Sequence, residues 1–126
     1  MPGFKPSEYL SSTPPYLFYD DNTPYDFTCD VGAGWKDLCV RTFGKIAAAY
    51  IRHNVDMSQF YVVQIKEKFG GIRIYLGGME PSLYEDVDSI VANAEDESLT
   101  ICEVCGKPGE PSRGGWIKTL CDQCAI

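Results

Sequence analysis

Four of the six cysteines in this chain have the spacing of a metal site. Cys102 and Cys105 form one Cys-x2-Cys pair, Cys121 and Cys124 form a second, and 15 residues separate the two pairs. A two-residue gap lets the chain turn tightly enough for two sulfurs to bind one ion at about 2.3 Å, and the loop between the pairs completes a tetrahedron. Gly106, directly after the first pair, suits a turn with positive φ. The pattern therefore predicts a four-cysteine site with Zn²⁺ as its cofactor.

The predicted metal site has no open position for chemistry. Four protein ligands fill the shell of a tetrahedral ion and exclude water and substrate, so we expect the zinc to be structural. Iron could occupy the same four sulfurs. Two disulfides, or four thiols without metal, are also compatible with the spacing. We rank both below metal binding because the sequence carries no secretory signal.

The remaining two cysteines do not share this spacing. Cys39 lies on the apolar face of a predicted helix, where the expected role is that of a small buried hydrophobe. Cys29 precedes a Gly-x-Gly-Trp turn. The nearby Asp26 and Asp30 do not provide the electropositive surroundings that a reactive thiol needs.

A second set of residues could bind an anion. Basic and aromatic side chains together can collect phosphates and stack on a base, as nucleotide-binding surfaces do. A predicted β-hairpin and the loop between the two cysteine pairs supply Lys66, Lys68, Arg73, Tyr75, Arg113, Trp116 and Lys118. The alternative, which we rank higher, is a basic sheet face paired with the protein's own acids.

Acidic residues are concentrated in one segment. The chain has 18 Asp and Glu against 11 Lys and Arg, a net charge of −7, and residues 78–101 contain no Lys or Arg. Such a charge opposes non-specific binding of nucleic acid and favours docking on a basic protein surface. The candidate partner-binding residues are Glu85, Asp86, Asp88, Glu95, Asp96 and Glu97. The alternative is an ordinary solvated helix face.

The sequence contains no catalytic constellation. Its one histidine, His53, lies near the end of a predicted helix, where a cap or a surface group is the expected role. The glycine pairs lack the flanking residues of phosphate-binding loops. Because we identify no nucleophile with its base, no catalytic carboxylate pair and no metal with an open position, we predict that the protein is not an enzyme.

Two helices are predicted to position these residues. Apolar residues recur at steps of three and four from Trp35 to about Asn54, which indicates an amphipathic helix. Ser82 and Glu85 have the spacing of a capping box, and the helix that they open is expected to end near Ser98. The apolar stripe of this second helix consists of Leu83, Val87, Ile90, Val91 and Ala94.

The segment 60–76 predicts a β-hairpin, because two β-rich runs flank Gly70-Gly71, a pair suited to a tight turn. Counted outward from that turn, Phe69 pairs with Ile72. The core side is then Tyr61, Val63, Ile65, Glu67, Phe69, Ile72, Ile74 and Leu76. Lys68 lies directly opposite Arg73 on the other side, and such a like-charge pair is destabilising unless another group compensates.

Length and composition indicate one globular α+β domain. Residues 1–31 interleave five prolines with seven aromatics, so we expect an extended arm packed over the domain, with a partner-binding surface as the alternative. Residues 32–101 are expected to form an α-β-β-α core, and residues 102–126 a zinc-ribbon or zinc-knuckle segment. No run of 18 apolar residues is present, so we expect a cytoplasmic protein without a membrane partner. A homo-oligomer remains open.

Three parts of the chain resemble a family of small, functionally uncharacterised proteins of bacteriophages and prophages. They are residues 27–38, the hairpin segment 66–73 with its Glu-Lys-Phe-Gly-Gly-Ile-Arg run, and the two cysteine motifs in 102–121. Many members have histidine at the position of Cys124, and histidine also binds zinc. The arm before Phe27 has no counterpart.

The resemblance implies a phage-type accessory protein in the cytoplasm of a bacterial host, and proteins of this kind often bind and inhibit a host defence factor. We therefore expect non-enzymatic binding of a host protein. The first alternative is sequestration of an anionic nucleotide by the basic hairpin face. A zinc-dependent nucleic-acid-binding regulator ranks third, because the chain is acidic.

Overall fold

The computed structural model describes residues 19–20, 23–24 and 28–125, with side chains from residue 30. As predicted, this part of the chain is α+β. Its helices are α1 (Lys36–Arg52) and α2 (Tyr84–Ser98), and its strands are β1 (Tyr19–Asp20), β2 (Thr23–Pro24), β3 (Thr28–Asp30), β4 (Tyr61–Lys68), β5 (Gly71–Gly77), β6 (Glu110–Pro111) and β7 (Thr119–Leu120). The predicted arm lies largely outside the described residues, and within it β1 pairs with β2 in antiparallel fashion.

Helix α1 provides the centre of the core. It follows a 3₁₀ turn at Ala33–Trp35 and is capped by His53, close to the predicted bounds. Positions three and four apart lie on one side of a helix, which explains why a single face is buried. That face carries Leu38, Cys39, Phe43, Ile46, Ala47 and Tyr50. Cys39 is therefore the small buried hydrophobe that was expected.

The main sheet has three strands in the order β3-β4-β5. Strands β4 and β5 form the predicted antiparallel hairpin, and β3 lies parallel to β4 with Cys29 opposite Ile65. Parallel neighbours require a long crossover, and α1 lies in this connection. Strand β3 was not predicted, because three residues beside a glycine-rich turn are too few to show the alternation of apolar and polar residues that indicates a strand.

The hairpin turn lies one residue earlier than predicted. Glu67 pairs with Ile72, which makes Phe69 and Gly70 the turn residues in place of Gly70-Gly71. Both turn residues have positive φ, 55° and 86°, as a tight two-residue turn requires. The predicted pairing of Phe69 with Ile72 is therefore wrong.

Near the turn, each residue lies on the face of the hairpin that was predicted for it. The observed register moves the partner of each residue by two positions, and a shift of two keeps a side chain on the same face. The buried face carries Ile65, Ile72 and Ile74. On the other face, Lys66 rather than Lys68 lies opposite Arg73. The compensating group is Glu95 of α2, whose Oε2 lies 3.7 Å from Arg73 Nη1.

Farther from the turn the predicted core side is wrong. A β-bulge between Val62 and Gln64 inverts the alternation of β4, so Val62 is buried while Val63 and Tyr61 are exposed. Phe69 is 68% exposed because it occupies the turn. Most of the residues around this bulge favour β-strands, so their types do not indicate where the bulge lies, and it could not be predicted from the sequence.

Helix α2 begins differently from its prediction. The chain enters through a 3₁₀ turn at Pro81–Leu83, and no side chain caps either this turn or the helix. The predicted capping box is therefore wrong, and the Ser82 hydroxyl donates to Glu80 Oε1 at 3.3 Å instead. Pro81 is suited to a first helical position because it has no N–H to satisfy. The apolar stripe packs on the core as predicted, with Leu83, Val87, Ile90, Val91 and Ala94.

The C-terminal segment packs on this core. Strands β6 and β7 pair in antiparallel fashion, and Ile101 forms an isolated bridge with Pro108. The buried Trp35 donates from Nε1 to the Ile101 carbonyl oxygen at 2.8 Å, which joins the start of α1 to the start of this segment. Neither of the two described helices has the length and apolar character needed to cross a lipid bilayer.

Candidate metal centre

The four predicted ligands converge on one point. The Sγ atoms of Cys102, Cys105, Cys121 and Cys124 all lie within 4.8 Å of one another, and those of Cys105 and Cys121 are 3.6 Å apart. Four sulfurs at about 2.3 Å from a tetrahedral ion lie about 3.8 Å from each other. A disulfide requires about 2.05 Å, so this pair is not one. The site can therefore hold a metal ion.

Two matching turns present the sulfurs. In the first, the backbone N–H of Gly106 donates to the Cys102 carbonyl oxygen at 2.9 Å; in the second, Ala125 donates to Cys121 at 3.0 Å. Each turn thus joins the first cysteine of a pair to the residue four positions later. Gly106 has a φ of 82°, as expected from its sequence position.

Backbone N–H groups favour a negative charge at the first cysteine of each pair. Burial acts to raise the pKa of the Cys102 thiol, but the backbone N–H groups of Cys105, Cys121 and Val104 outweigh it and lower that pKa to about 6. The N–H of Cys124 lowers the pKa of Cys121. Contacts with the Cys121 and Cys102 sulfurs raise the pKa of Cys124 to about 12. Sulfurs this close cannot all be thiolates without a cation, and a metal ion bound between them would supply that cation.

The first cysteine turn lies directly on the chain that leads into α1. The Gly34 N–H donates to the Glu103 carbonyl oxygen at 2.8 Å. A Cβ on Gly34 would lie 2.1 Å from the Cys102 carbonyl oxygen, so no other residue fits this approach. The metal site and the core are therefore one packed unit.

The second cysteine turn is held by the hairpin tip. Thr119 is fully buried, and its Oγ1 donates to the Gly70 carbonyl oxygen at 2.7 Å. Its own carbonyl oxygen accepts from the Glu103 N–H at 3.0 Å, which joins the two halves of the metal site. A Cβ on Gly70 would lie 3.0 Å from Ile117 Cγ2, and this close fit explains why the turn places glycine here.

Sequence reasoning missed one charged residue beside the site. Glu103 is buried, and its Oε2 accepts from the Gly32 N–H at 3.0 Å. Lys118 Nζ lies 2.6 Å from Glu67 Oε1 and 3.8 Å from Glu103 Oε1. Burial raises the pKa of the Glu103 carboxyl. A glutamate inside a Cys-x2-Cys gap is read as solvent-exposed, and no local signal indicates its burial.

The structure divides the seven predicted anion-binding residues. Lys66, Lys68, Arg73 and Tyr75 share one face of the hairpin, as register and alternation require. Lys118 instead pairs with Glu67, which belongs to the opposite, core-side face. Trp116 and Arg113 are exposed on the loop between the cysteine pairs. With Arg73 paired to Glu95, two of the five cations contact acids of the protein itself.

The six predicted partner-binding acids also fall into two groups. Three contact basic groups of other elements: Asp86 with His53, Glu95 with Arg73 and Glu97 with Arg41. His53 is therefore a helix cap with an acidic neighbour. The other three, which are exposed, are Glu85, Asp88 and Asp96.

Comparisons with protein-family models, curated proteins and solved structures found no match to this chain.

Proposed function

We propose that this protein is a non-enzymatic binding protein, shaped by a structural Zn²⁺ on its four clustered cysteines, that docks on a basic surface of a protein partner. A set of four cysteine ligands leaves no coordination position for a substrate. Tetrahedral sulfur sites take zinc or iron, and elemental analysis of the native protein distinguishes the two.

The observation that carries the proposal is a stripe of carboxylates on α2. Glu85, Asp88 and Asp96 are exposed, and among the residues with described side chains none of them has an ion pair. Separations of three and eight residues place them on one side of the helix, away from the buried Val87 and Ala94. On a chain of net charge −7, such a stripe attracts basic surfaces and orients them during encounter.

The test is affinity capture from bacterial lysate at low and at high salt, with the bound proteins identified by mass spectrometry. We expect a basic partner that the wild type retains at low salt and that E85K/D88K/D96K does not retain. Glu95 and Glu97 are unsuitable for this test, because their ion pairs with Arg73 and Arg41 join α2 to its neighbours.

The matched control compares D88K with E110K. Both positions are exposed and both substitutions change the net charge equally, but Glu110 lies on β6. Loss of the partner with D88K and its retention with E110K assigns the binding to α2. Full retention of the partner by the triple variant contradicts the proposal.

We further propose a biological setting, that of a phage-encoded protein acting in the cytoplasm of its bacterial host by inhibiting a host factor. This setting rests on the resemblance of segments 27–38, 66–73 and 102–121 alone. Identification of the captured partner as a defence protein supports it, and capture of a host protein whose activity this protein does not inhibit contradicts it.

A second candidate function is binding of an anionic nucleotide, with single-stranded nucleic acid as its extension. It is favoured by Trp116, which is 80% exposed, with Lys118 Nζ 5.8 Å from its ring centroid. A nucleotide that stacks on this ring should quench its fluorescence, and W116A should abolish the effect. No response to a nucleotide panel or to oligonucleotides removes this candidate.

A further inference from the structure

A polar cavity of about 220 Å³ lies between β3, the β4–β5 hairpin and the metal-binding segment. None of the four clustered sulfurs lines it. Its walls are Asp30, Val31, Gly32, Glu67, Glu103 and Lys118.

Glu103 lines this cavity, and one of its buried carboxylate oxygens has no hydrogen-bond partner among the described residues. The residue is 2% exposed, and its Oε2 accepts from the Gly32 N–H at 3.0 Å. Its Oε1 has no hydrogen-bond partner among the residues that the structure describes, and Lys118 Nζ remains 3.8 Å away. A buried carboxylate oxygen without a donor is strongly unfavourable, so this atom marks a position for an N–H or a cation from outside.

The charges around the cavity leave an excess of acid. Three carboxylates, on Asp30, Glu67 and Glu103, face one ammonium group on Lys118. Glu67 is already satisfied, because its Oε1 lies 2.6 Å from Lys118 Nζ and its Oε2 accepts from the Gly70 N–H at 2.8 Å. Among the side chains that the structure describes, Asp30 has no ion pair and Glu103 Oε1 is 3.8 Å from the Lys118 ammonium, so these two groups are the least neutralised acids of the cavity.

We infer that this cavity binds a guanidinium group, with Glu103 Oε1 and the Asp30 carboxylate as its acceptors. A guanidinium is planar, carries five N–H donors and is weakly hydrated, so it can serve two separate carboxylates in a partly enclosed site. Ca²⁺ and Mg²⁺ take six or more oxygen ligands, and here the Lys118 ammonium already contacts two of the three carboxylates, those of Glu67 and Glu103. The inference rests on the proposed function where it assigns the guanidinium to an arginine of the basic partner; a free small guanidine is the other source.

The test is calorimetric titration of the zinc-loaded full chain. The probes are the capped peptide acetyl-Gly-Arg-Gly-amide, agmatine, the matched capped lysine peptide and calcium chloride. The backbone N–H of Gly32 contacts Glu103, so its NMR signal reports binding at this cavity. We expect the arginine peptide to bind, to shift that signal, and to bind about 10-fold or more weakly to D30N.

Three variants make the test specific. D30N alters an exposed acceptor and is expected to fold, E103Q removes the buried charge while keeping an oxygen for Gly32, and E110Q makes the same charge change on β6. Weaker binding by D30N and E103Q, with unchanged binding by E110Q, supports the inference. Equal weakening by E110Q overturns it, because that result reflects overall charge alone.

The probes separate the remaining outcomes. Binding of the arginine peptide indicates a protein side chain, and binding of agmatine alone indicates a free small molecule; both support a guanidinium site. Preference for the lysine peptide or for calcium, or no binding at all, overturns the inference. If the cavity binds no guanidinium but E85K/D88K/D96K loses its partner, the proposed function still stands. If the arginine peptide binds but the triple variant retains its partner, the cavity site stands and docking through α2 is contradicted.

Discussion

The backbone N–H of Gly34 donates a hydrogen bond to the carbonyl oxygen of Glu103 across 2.8 Å. This contact places the turn before α1 directly on the first cysteine turn. The candidate metal site is therefore packed against the core, and substitutions in the turn before α1 should affect metal binding.

The substitution G34A tests this close approach. Its Cβ would lie 2.1 Å from the Cys102 carbonyl oxygen, so the backbone must separate. We expect a loss of about 3 kcal/mol or more in the free energy of unfolding. We also expect faster metal release to a chelator. Urea denaturation and chelator competition measure the two effects.

The control for G34A is G44A. Gly44 lies within α1, and a Cβ there has open space. Alanine in an open helical position should stabilise the protein by about 0.5–1 kcal/mol. Equal effects of the two substitutions would contradict the packing of the metal site against Gly34.

Metal removal should unfold one part of the molecule first. Elemental analysis should find one ion per chain, and C102S or C121S should abolish binding, whereas C39S, which alters a cysteine buried in α1, should keep it. After chelation we expect amide protection to be lost across 102–125 before it is lost in α1, because metal-site folding depends on the ion. Full protection of 102–125 without metal would show that the ion does not shape the segment.

The contact between Thr119 and the hairpin tip should couple the hairpin to the metal site. T119V keeps the shape of the side chain but leaves the buried Gly70 carbonyl oxygen without its donor. We expect a loss of about 1–3 kcal/mol in unfolding free energy and weaker metal retention. T119S restores the donor and should recover part of both. A similar loss with serine and valine would assign the effect to packing.

The pH dependence of stability tests the ion pair of Glu97 with Arg41. The hydrogen bond from the Arg41 guanidinium lowers the pKa of the Glu97 carboxyl. A carboxyl with a lower pKa in the folded chain adds stability above its unfolded pKa and loses it as the pH falls through the folded value. We expect E97Q to cost about 0.5 kcal/mol near neutral pH, a small value because both side chains are well exposed.

The difference between wild type and E97Q should close as the pH falls below about 4.5. Urea unfolding of both proteins over a pH series measures it, and acid release of the metal affects both proteins alike. D88N is the control, because Asp88 has no ion pair within the described side chains. A gap that widens with acid would contradict the sign of the Glu97 contribution.

The local features of this fold were predictable because short-range geometry controls them. The buried face of α1 and the apolar stripe of α2 follow from residues three and four apart, which share a helix side in any context. The two faces of the hairpin near its turn follow from strand alternation in the same way.

Features that depend on distant contacts were not predictable. The turn is at Phe69–Gly70, where Gly70 packs closely against Ile117, a residue of another segment. The bulge at Val63 exposes a residue that alternation assigns to the core. Propensity is similar for the alternative registers, so contacts from outside the hairpin decide between them.

The sequence by itself determined which four cysteines cluster, because each two-residue gap places two sulfurs close together and the 15-residue loop lets the second pair return to the first. Only the tertiary structure decided which acidic side chains are buried or form ion pairs and which stay exposed. It buries Glu103 beside Lys118, joins Glu95 and Glu97 to cations of other elements, and leaves Glu85, Asp88 and Asp96 in solvent. The physical reason is that a charge acts through its neighbours in space, and those neighbours come from parts of the chain that no local pattern connects.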